Sequence, residues 1–201
     1  MSEIIAIKRL FTADSEFETD LANCLDREML VADGITETVS SILRDVRKSG
    51  DAAVVKYTNK FDRFQAVSMD DLLVSKDQLQ ASLDNISDTQ RKALNHAAER
   101  IQKYHEKQKQ SSWHYEEADG SVYGQKVSPL QRVGIYAPGG KANYPSSILM
   151  LAIPAQVAGV KEIIATVPTP YGKDGDLVFA AAALAGVSRL FTIGGAQAIA
   201  A

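Results

Sequence analysis

Arg132-Val-Gly-Ile-Tyr-Ala-Pro-Gly-Gly140 opens, and Phe191-Thr-Ile-Gly-Gly-Ala-Gln-Ala-Ile-Ala-Ala201 closes, the stretch on which the architecture of this chain turns. Each is a short β-prone run, then paired glycines, then residues that favour helix, which is how a strand delivers a loop to the start of a helix. Between them lie a helical segment, a second strand from Glu162 to Val167, and an Ala-rich helix from Leu177 to Ala185 that Gly186 ends. A third strand spans Arg189 to Ile193, so the order is β-α-β-α-β. The strands start about 28 residues apart, the repeat of right-handed βαβ units. The expected fold class is α/β, with a helical N-terminal region leading into a parallel sheet.

Charge supports that division. Residues 1–130 carry 17 Lys/Arg and 22 Asp/Glu, whereas residues 131–201 carry only 5 and 3, as parallel strands covered by helices require. The net charge of −3 and the lack of a basic patch exclude nucleic acid as a partner. The N-terminus lacks the cationic start and apolar core of a signal peptide. The most apolar window, Ile148 to Val160, is broken by Pro154 and Gln156 and is too short to cross a membrane. Cys24 is the single cysteine, a packed or idle thiol suited to a reducing compartment, and the expected location is cytoplasmic.

Working back to the start, Ile4 to Phe11 is β-prone and Ser15-Glu-Phe-Glu18 has capping-box form, so residues 1–30 form an N-terminal arm with a helix through Leu25. Val39, Ile42, Leu43 and Val46 make one face of a helix from Ile35 to Lys48; Gly50 ends it and Asp51 caps the next, whose apolar face is Val54, Tyr57, Thr58 and Phe61. Val67 to Ser75 is expected as a strand. Ser75 with Gln78 and Ser87 with Gln90 form capping boxes, the second opening a helix from Asp88 to Gln110 with Leu94, Ala97, Ala98, Ile101, Tyr104 and His105 as its buried stripe. Trp113 to Val127 is a β-hairpin turning at Asp119-Gly120 in a type I′ turn. A boundary is expected near residue 130, dividing a mostly helical part, 31–130, from residues 131–201.

Chemistry is sparse. His96 and His105 are nine residues apart on one helix and point to opposite faces, His114 lies beyond it, and no zinc site is expected within the chain. Residues 131–201 hold no His or Cys and no Gly-x-Ser-x-Gly. Ser146 and Ser147 suit a helix cap, and Asp174 and Asp176 suit a loop and a cap. What remains is ligand binding at the carboxyl ends of the strands. There the loop Ala137-Pro-Gly-Gly140 is short of side chains, Tyr136 offers a ring and a hydroxyl, and Gln197 offers an amide after Gly194-Gly195. The first loop lacks Gly-x-Gly-x-x-Gly, and no acidic residue follows about 20 positions on to hold a ribose.

Val133-Gly-Ile-Tyr-Ala-Pro-Gly-Gly140, Met150-Leu-Ala-Ile-Pro-Ala155, Ala158-Gly159 and Ile193-Gly-Gly-Ala-Gln-Ala-Ile-Ala-Ala201 together resemble the histidinol dehydrogenase family, as do Ser49-Gly50-Asp51-Ala52, Tyr57-Thr58 and Phe61-Asp62. The resemblance runs over essentially the whole chain. It implies an incomplete Rossmann-like domain at 131–201, of the aldehyde/histidinol dehydrogenase-like kind. It also implies an enzyme that oxidises L-histidinol to L-histidine through an aldehyde with two NAD, a zinc ion that holds the substrate without redox change, a glutamate–histidine pair that handles protons, and a homodimer. Tyr136 and Gln197 match family positions that contact NAD, with Pro138 and Gly139 beside them. The zinc ligands and the catalytic residues are expected beyond residue 201, so the chain is expected to be the N-terminal part of a longer protein and inactive alone. The competing expectation is a non-catalytic nucleotide-binding or assembly module with the same half-domain; a weaker one is another NAD-linked dehydrogenase.

Overall fold

The computed structural model describes residues 8–25, 34–139, 144–170 and 175–201. By packing, the chain divides into residues 1–41 and 42–201.

In the first unit, helix α1, Phe17–Leu25, has no buried residue. The turn before it is closed by main-chain bonds from Asp14 N–H to the Phe11 carbonyl (3.0 Å) and from Phe17 N–H to the Asp14 carbonyl (3.1 Å), in place of the expected box at Ser15. Residues 8–11 are not a strand, and the rest of the β-prone start lies outside the described residues. Cys24 is exposed and unpaired, not packed.

Helix α2, Ile35–Ser49, runs across the division and is followed by α3, Asp51–Asp62. Gly50, at φ +55°, is the N-cap of α3, so Asp51 stands one position inside the helix, where a carboxylate still favours the amino end. Ile42 and Val46 of α2 and Val54, Tyr57 and Thr58 of α3 are buried, while Leu43 and Phe61 are exposed. Phe61 instead stacks on Tyr57 with centroids 5.8 Å apart.

The expected strand from Val67 to Ser75 shrinks to β1, Leu73–Val74, after a single 3₁₀ turn at Asp70–Leu72. The cause is Asp71: its carboxylate accepts the N–H groups of Val67 (2.7 Å) and Ser68 (2.9 Å), which bends the main chain away from an extended path. Both capping boxes form, opening α4, Lys76–Asn85, and α5, Asp88–Glu106. In the expected stripe of α5, Leu94 is buried and Ala97, Ala98, Ile101 and His105 are half-buried, but Tyr104 is exposed, and the helix ends four residues early in a tighter turn through Lys107. The hairpin comprises β2, Trp113–Glu116, and β3, Val122–Gln125. Gly120 alone has positive φ, +84°, and its N–H bonds the Glu117 carbonyl at 3.0 Å, so the turn is type I with a glycine bulge and not type I′.

The main sheet has the order β1, β6, β5, β4, with β4 Arg132–Tyr136, β5 Glu162–Thr166 and β6 Arg189–Phe191 parallel and β1 antiparallel to β6. Helices α6, Pro145–Ala158, and α7, Asp176–Leu184, connect them. Pro145 occupies the first helical position of α6, so Ser146 and Ser147 lie inside the helix and do not cap it. Asp176 is likewise the first residue of α7, after the N-cap Gly175.

One sheet face carries Ile135, Ile163, Ala165 and Leu190 into a core with Ile148, Leu149, Ala152, Val178, Ala181 and Ala182. The alanines of α7 let that helix lie close to the strands. Leu79 of α4 and Leu94 of α5 belong to the same core, so elements on both sides of residue 130 share it. The opposite face carries Gly134, Tyr136, Ile164, Thr166 and Phe191 and forms a groove of about 520 Å³ with Ala198 and Ile199 of the last helix, α8, Gly195–Ala200. Eight helices and the two sheets complete the described residues. No helix among them is long and apolar enough to cross a membrane.

Candidate functional site

Three loops leave the carboxyl ends of the parallel strands, and main-chain hydrogen bonds keep them in step past the strand ends. Ala137 N–H donates to the Thr166 carbonyl (3.0 Å), Val167 N–H to the Phe191 carbonyl (3.0 Å), and Thr192 N–H to the Leu72 carbonyl (2.8 Å). The loops are therefore a continuation of the sheet, held at strand spacing.

Pro168 is wedged between them. A Cβ on Gly139 would fall on the Pro168 carbonyl oxygen, and one on Gly194 would lie 2.6 Å from Pro168 Cβ and 2.9 Å from its Cγ. The two glycines are thus required by close approach. Sequence reasoning found both glycines and missed Pro168, which carries no chemical signal and acquires its role only through residues 29 positions before it and 26 after it.

Tyr136 ends β4 half-buried, and its hydroxyl accepts the Gly195 N–H at 3.4 Å, tying the first loop to the third. Two residues further on, Gln197 is 1% exposed, and neither its Nε2 nor its Oε1 has a hydrogen-bond partner. Gly195, at φ +64°, leaves room for that amide, because a Cβ there would stand 2.7 Å from the Gln197 oxygen. Tyr136 and Gln197 are thereby brought to one place. Pro138 is exposed and Gly139 half-buried beside them. Gly140 lies outside the described residues, as does Asp174.

The acid nearest the ribose-binding spacing is Glu162, and it sits at the wrong edge. At the amino end of β5 it receives Arg132 and, at 2.7 Å, Arg189. The Arg132 hydrogen bond holds its carboxyl below the usual range; burial opposes it, and the Arg189 hydrogen bond and the charges of both guanidinium groups add to the lowering. A second cavity of about 360 Å³ adjoins the loops on the β1 side, lined by Thr169, Thr192, Leu72, Ser82 and Phe64 among others.

The histidines stay apart from all this: His114 lies on the exposed hairpin, and the His105 ring pairs with Gln108 at 2.7 Å. Among the described residues no group of three His, Cys, Asp or Glu side chains is placed to hold a metal. Tyr136 and Gln197 are the polar side chains that the loops bring to the strand ends. They offer a ring, a hydroxyl and both halves of an amide to a ligand at the strand ends.

A family model described as histidinol dehydrogenase matches residues 25–201. Among curated relatives, the histidinol dehydrogenase of Dechloromonas aromatica (strain RCB) is 57% identical over 196 residues, 98% of this chain and 45% of the relative. That of Pseudomonas syringae pv. syringae (strain B728a) is 54% identical over 201 residues, 100% of this chain and 45% of the relative. The crystal structure of histidinol dehydrogenase from Elizabethkingia anophelis aligns with a TM-score of 0.75 at 34% identity, covering 83% of this chain and 38% of that one. The chain therefore spans a little under half the length of the curated relatives it matches.

Proposed function

Because the chain belongs to the histidinol dehydrogenase family, we propose that it forms the cofactor-facing part of an enzyme of histidine biosynthesis that oxidises L-histidinol to L-histidine through an aldehyde, with two NAD used in succession. The observation that carries the reading is Gln197. A buried amide with both polar atoms unpartnered is costly in a folded protein. It is accounted for if a ligand with donors and acceptors completes it.

NAD, when bound, takes up the hydride that each oxidation releases. Gln197 would hold it through the amide. Tyr136 would border it with its ring, while its hydroxyl, already accepting from Gly195, keeps its own proton free to donate. Residues 137–139 have little side-chain bulk, so a ligand can approach the main chain there; Pro138 and Gly139 are assigned to that approach. Pro168 keeps the first and third loops at the separation the ligand would meet.

The family resemblance also implies zinc. The described residues do not fit it. Zinc ligands, histidinol-binding groups and the glutamate–histidine pair are therefore assigned to none of these positions, and these 201 residues alone are expected to be inactive. The single exposed thiol, Cys24, suits the reducing cytoplasm. A homodimer is the expected assembly, in keeping with the solvent-exposed Trp113, Tyr115 and Tyr123 stacked along the hairpin.

Titration of the full-length protein with NADH, followed by nucleotide fluorescence, tests the cofactor site. Tyr136→Ala should weaken binding and leave zinc content unchanged. Equal affinity in the variant removes Tyr136 from the site, and turnover of histidinol by residues 1–201 alone removes the division of labour.

A further inference from the structure

The cavity of about 360 Å³ on the β1 side of the carboxyl edge is not used by the proposed cofactor site. It opens between the loops after β5 and β6, strand β1, and helices α4 and α7, which pack on each other. Its lining includes two carboxylates, Asp71 and Asp176, and among the described residues no Lys, Arg or His. The main-chain N–H groups of Ser68 and Val67 hold the Asp71 carboxyl below its ordinary range, so it is charged at neutral pH. Asp176 is the first residue of α7 and already meets the positive end of that helix, so an anion gains little there. Two acids are too few for a hard metal ion, and among the described residues no group of three His, Cys, Asp or Glu is placed to hold one. The charge suits an organic cation.

The apolar wall carries two rings, Phe64 and Phe179. Phe179 packs against the start of α7: a Cβ on Gly175 would lie 3.3 Å from its ring. Aromatic rings attract ammonium groups. Two hydroxyls line the same cavity, Ser82 of α4 and Thr169 after β5. These residues are only 8% and 7% exposed, yet neither hydroxyl makes a hydrogen bond within the described residues, and neither oxygen is among those the fold seals off. Thr192 differs, since its hydroxyl donates to the Leu72 carbonyl at 3.1 Å. A buried hydroxyl that opens on a cavity without a partner is completed by what enters.

We propose that this cavity binds a small primary ammonium ion carrying a flat apolar group. An ammonium has three N–H donors and no acceptor, and the Ser82 hydroxyl, the Thr169 hydroxyl and the Asp176 carboxylate offer acceptors to match. Phe64 and Phe179 supply the surface for the apolar part. The volume lies near the lower end for ligand pockets, which limits the ligand to a small one. The pyrophosphate of a dinucleotide would meet like charge here, whereas residues 137–139 carry no acid. The assignment does not depend on the cofactor site.

The experiment is isothermal titration calorimetry of the full-length protein with phenethylammonium and, separately, with hydrocinnamate, which has the same ring on a chain of similar length and the opposite charge. The ammonium should bind saturably, and more weakly in 1 M salt; the carboxylate should not bind. Asp176→Asn should weaken the ammonium about 2- to 5-fold, the worth of an exposed charge pair. Thr169→Val should weaken it about 5-fold, the worth of one hydrogen bond, and should melt no lower than wild type without ligand, because its hydroxyl has no bond to lose. No saturable binding of the ammonium, equal binding of the carboxylate, unchanged affinity in either variant, or a lower melting temperature for Thr169→Val overturns the assignment. NADH is titrated in parallel: ammonium binding without NADH binding removes the cofactor site and leaves this one, and the reverse removes this one alone.

Discussion

Replacing Gln197 by methionine separates a ligand-binding amide from a structural one. Methionine has nearly the same length and no strong hydrogen-bonding group, and the site is 1% exposed, so little volume changes. An unpartnered buried polar group costs about 1–3 kcal/mol. Gln197→Met should therefore stabilise the ligand-free protein by about 2 kcal/mol, raising the melting temperature by about 4–8 °C in a domain of this size. NAD at 100 times its dissociation constant should stabilise wild type by about 2.7 kcal/mol. If the variant binds about tenfold more weakly, the same concentration gives it only about 1.4 kcal/mol. Differential scanning fluorimetry with and without NAD reads both quantities: the variant leads without nucleotide, and its lead shrinks when nucleotide is added. A variant that melts lower than wild type without NAD would show that the amide is already satisfied within the fold, and the argument from Gln197 would fail.

Two further outcomes follow from the sheet. Gly194→Ala should cost about 1–3 kcal/mol in chemical denaturation, because its Cβ would meet Pro168 at 2.6 Å, whereas Gly134→Ala, with nothing within 4 Å of the added carbon, should not destabilise; equal losses would refute the wedge. Glu162 has a folded-state pKa below its unfolded value, so its contribution is present above about pH 4.3 and is lost as pH falls through the lower folded value. The stability difference between wild type and Glu162→Gln should thus be flat from pH 6 to 8, fade under acid, and shrink in 1 M salt because all three side chains reach solvent.

What the sequence disclosed was whatever depends on neighbours a few positions apart. Ser75 with Gln78 and Ser87 with Gln90 needed one helical turn to find each other, and both boxes formed. The strand–loop–helix rhythm placed β4, β5 and β6 and pointed to Tyr136 and Gln197 together. Features set by distant partners were not legible: β1 depends on Leu73 meeting Phe191, and the Pro168 wedge on two glycines in other loops. Asp62 was legible only as part of the Phe61-Asp62 pair, since only packing reveals that one of its oxygens has no partner. Asp51 came one position and Ser146 two positions too late to cap, and Gly50 and the Tyr144-Pro145 pair set the helix starts instead.

The short antiparallel strand β1 has a consequence for handedness. By pairing with β6 it closes that margin of the sheet, and β4 is left as the margin without a neighbour among the described residues. A parallel strand joining at β4 from β6 would travel back across the sheet, and a right-handed crossover in that direction must pass over the face opposite α6 and α7, the face on which α8 already lies. Where the winding reverses, the connections leave in opposite directions and a crevice opens at the carboxyl end of the strand. With a strand added there, that strand end would be the one of β4, at Tyr136. Two residues of β-structure, Leu73 and Val74, thereby leave β4 as the margin of the sheet open to a further strand among the described residues.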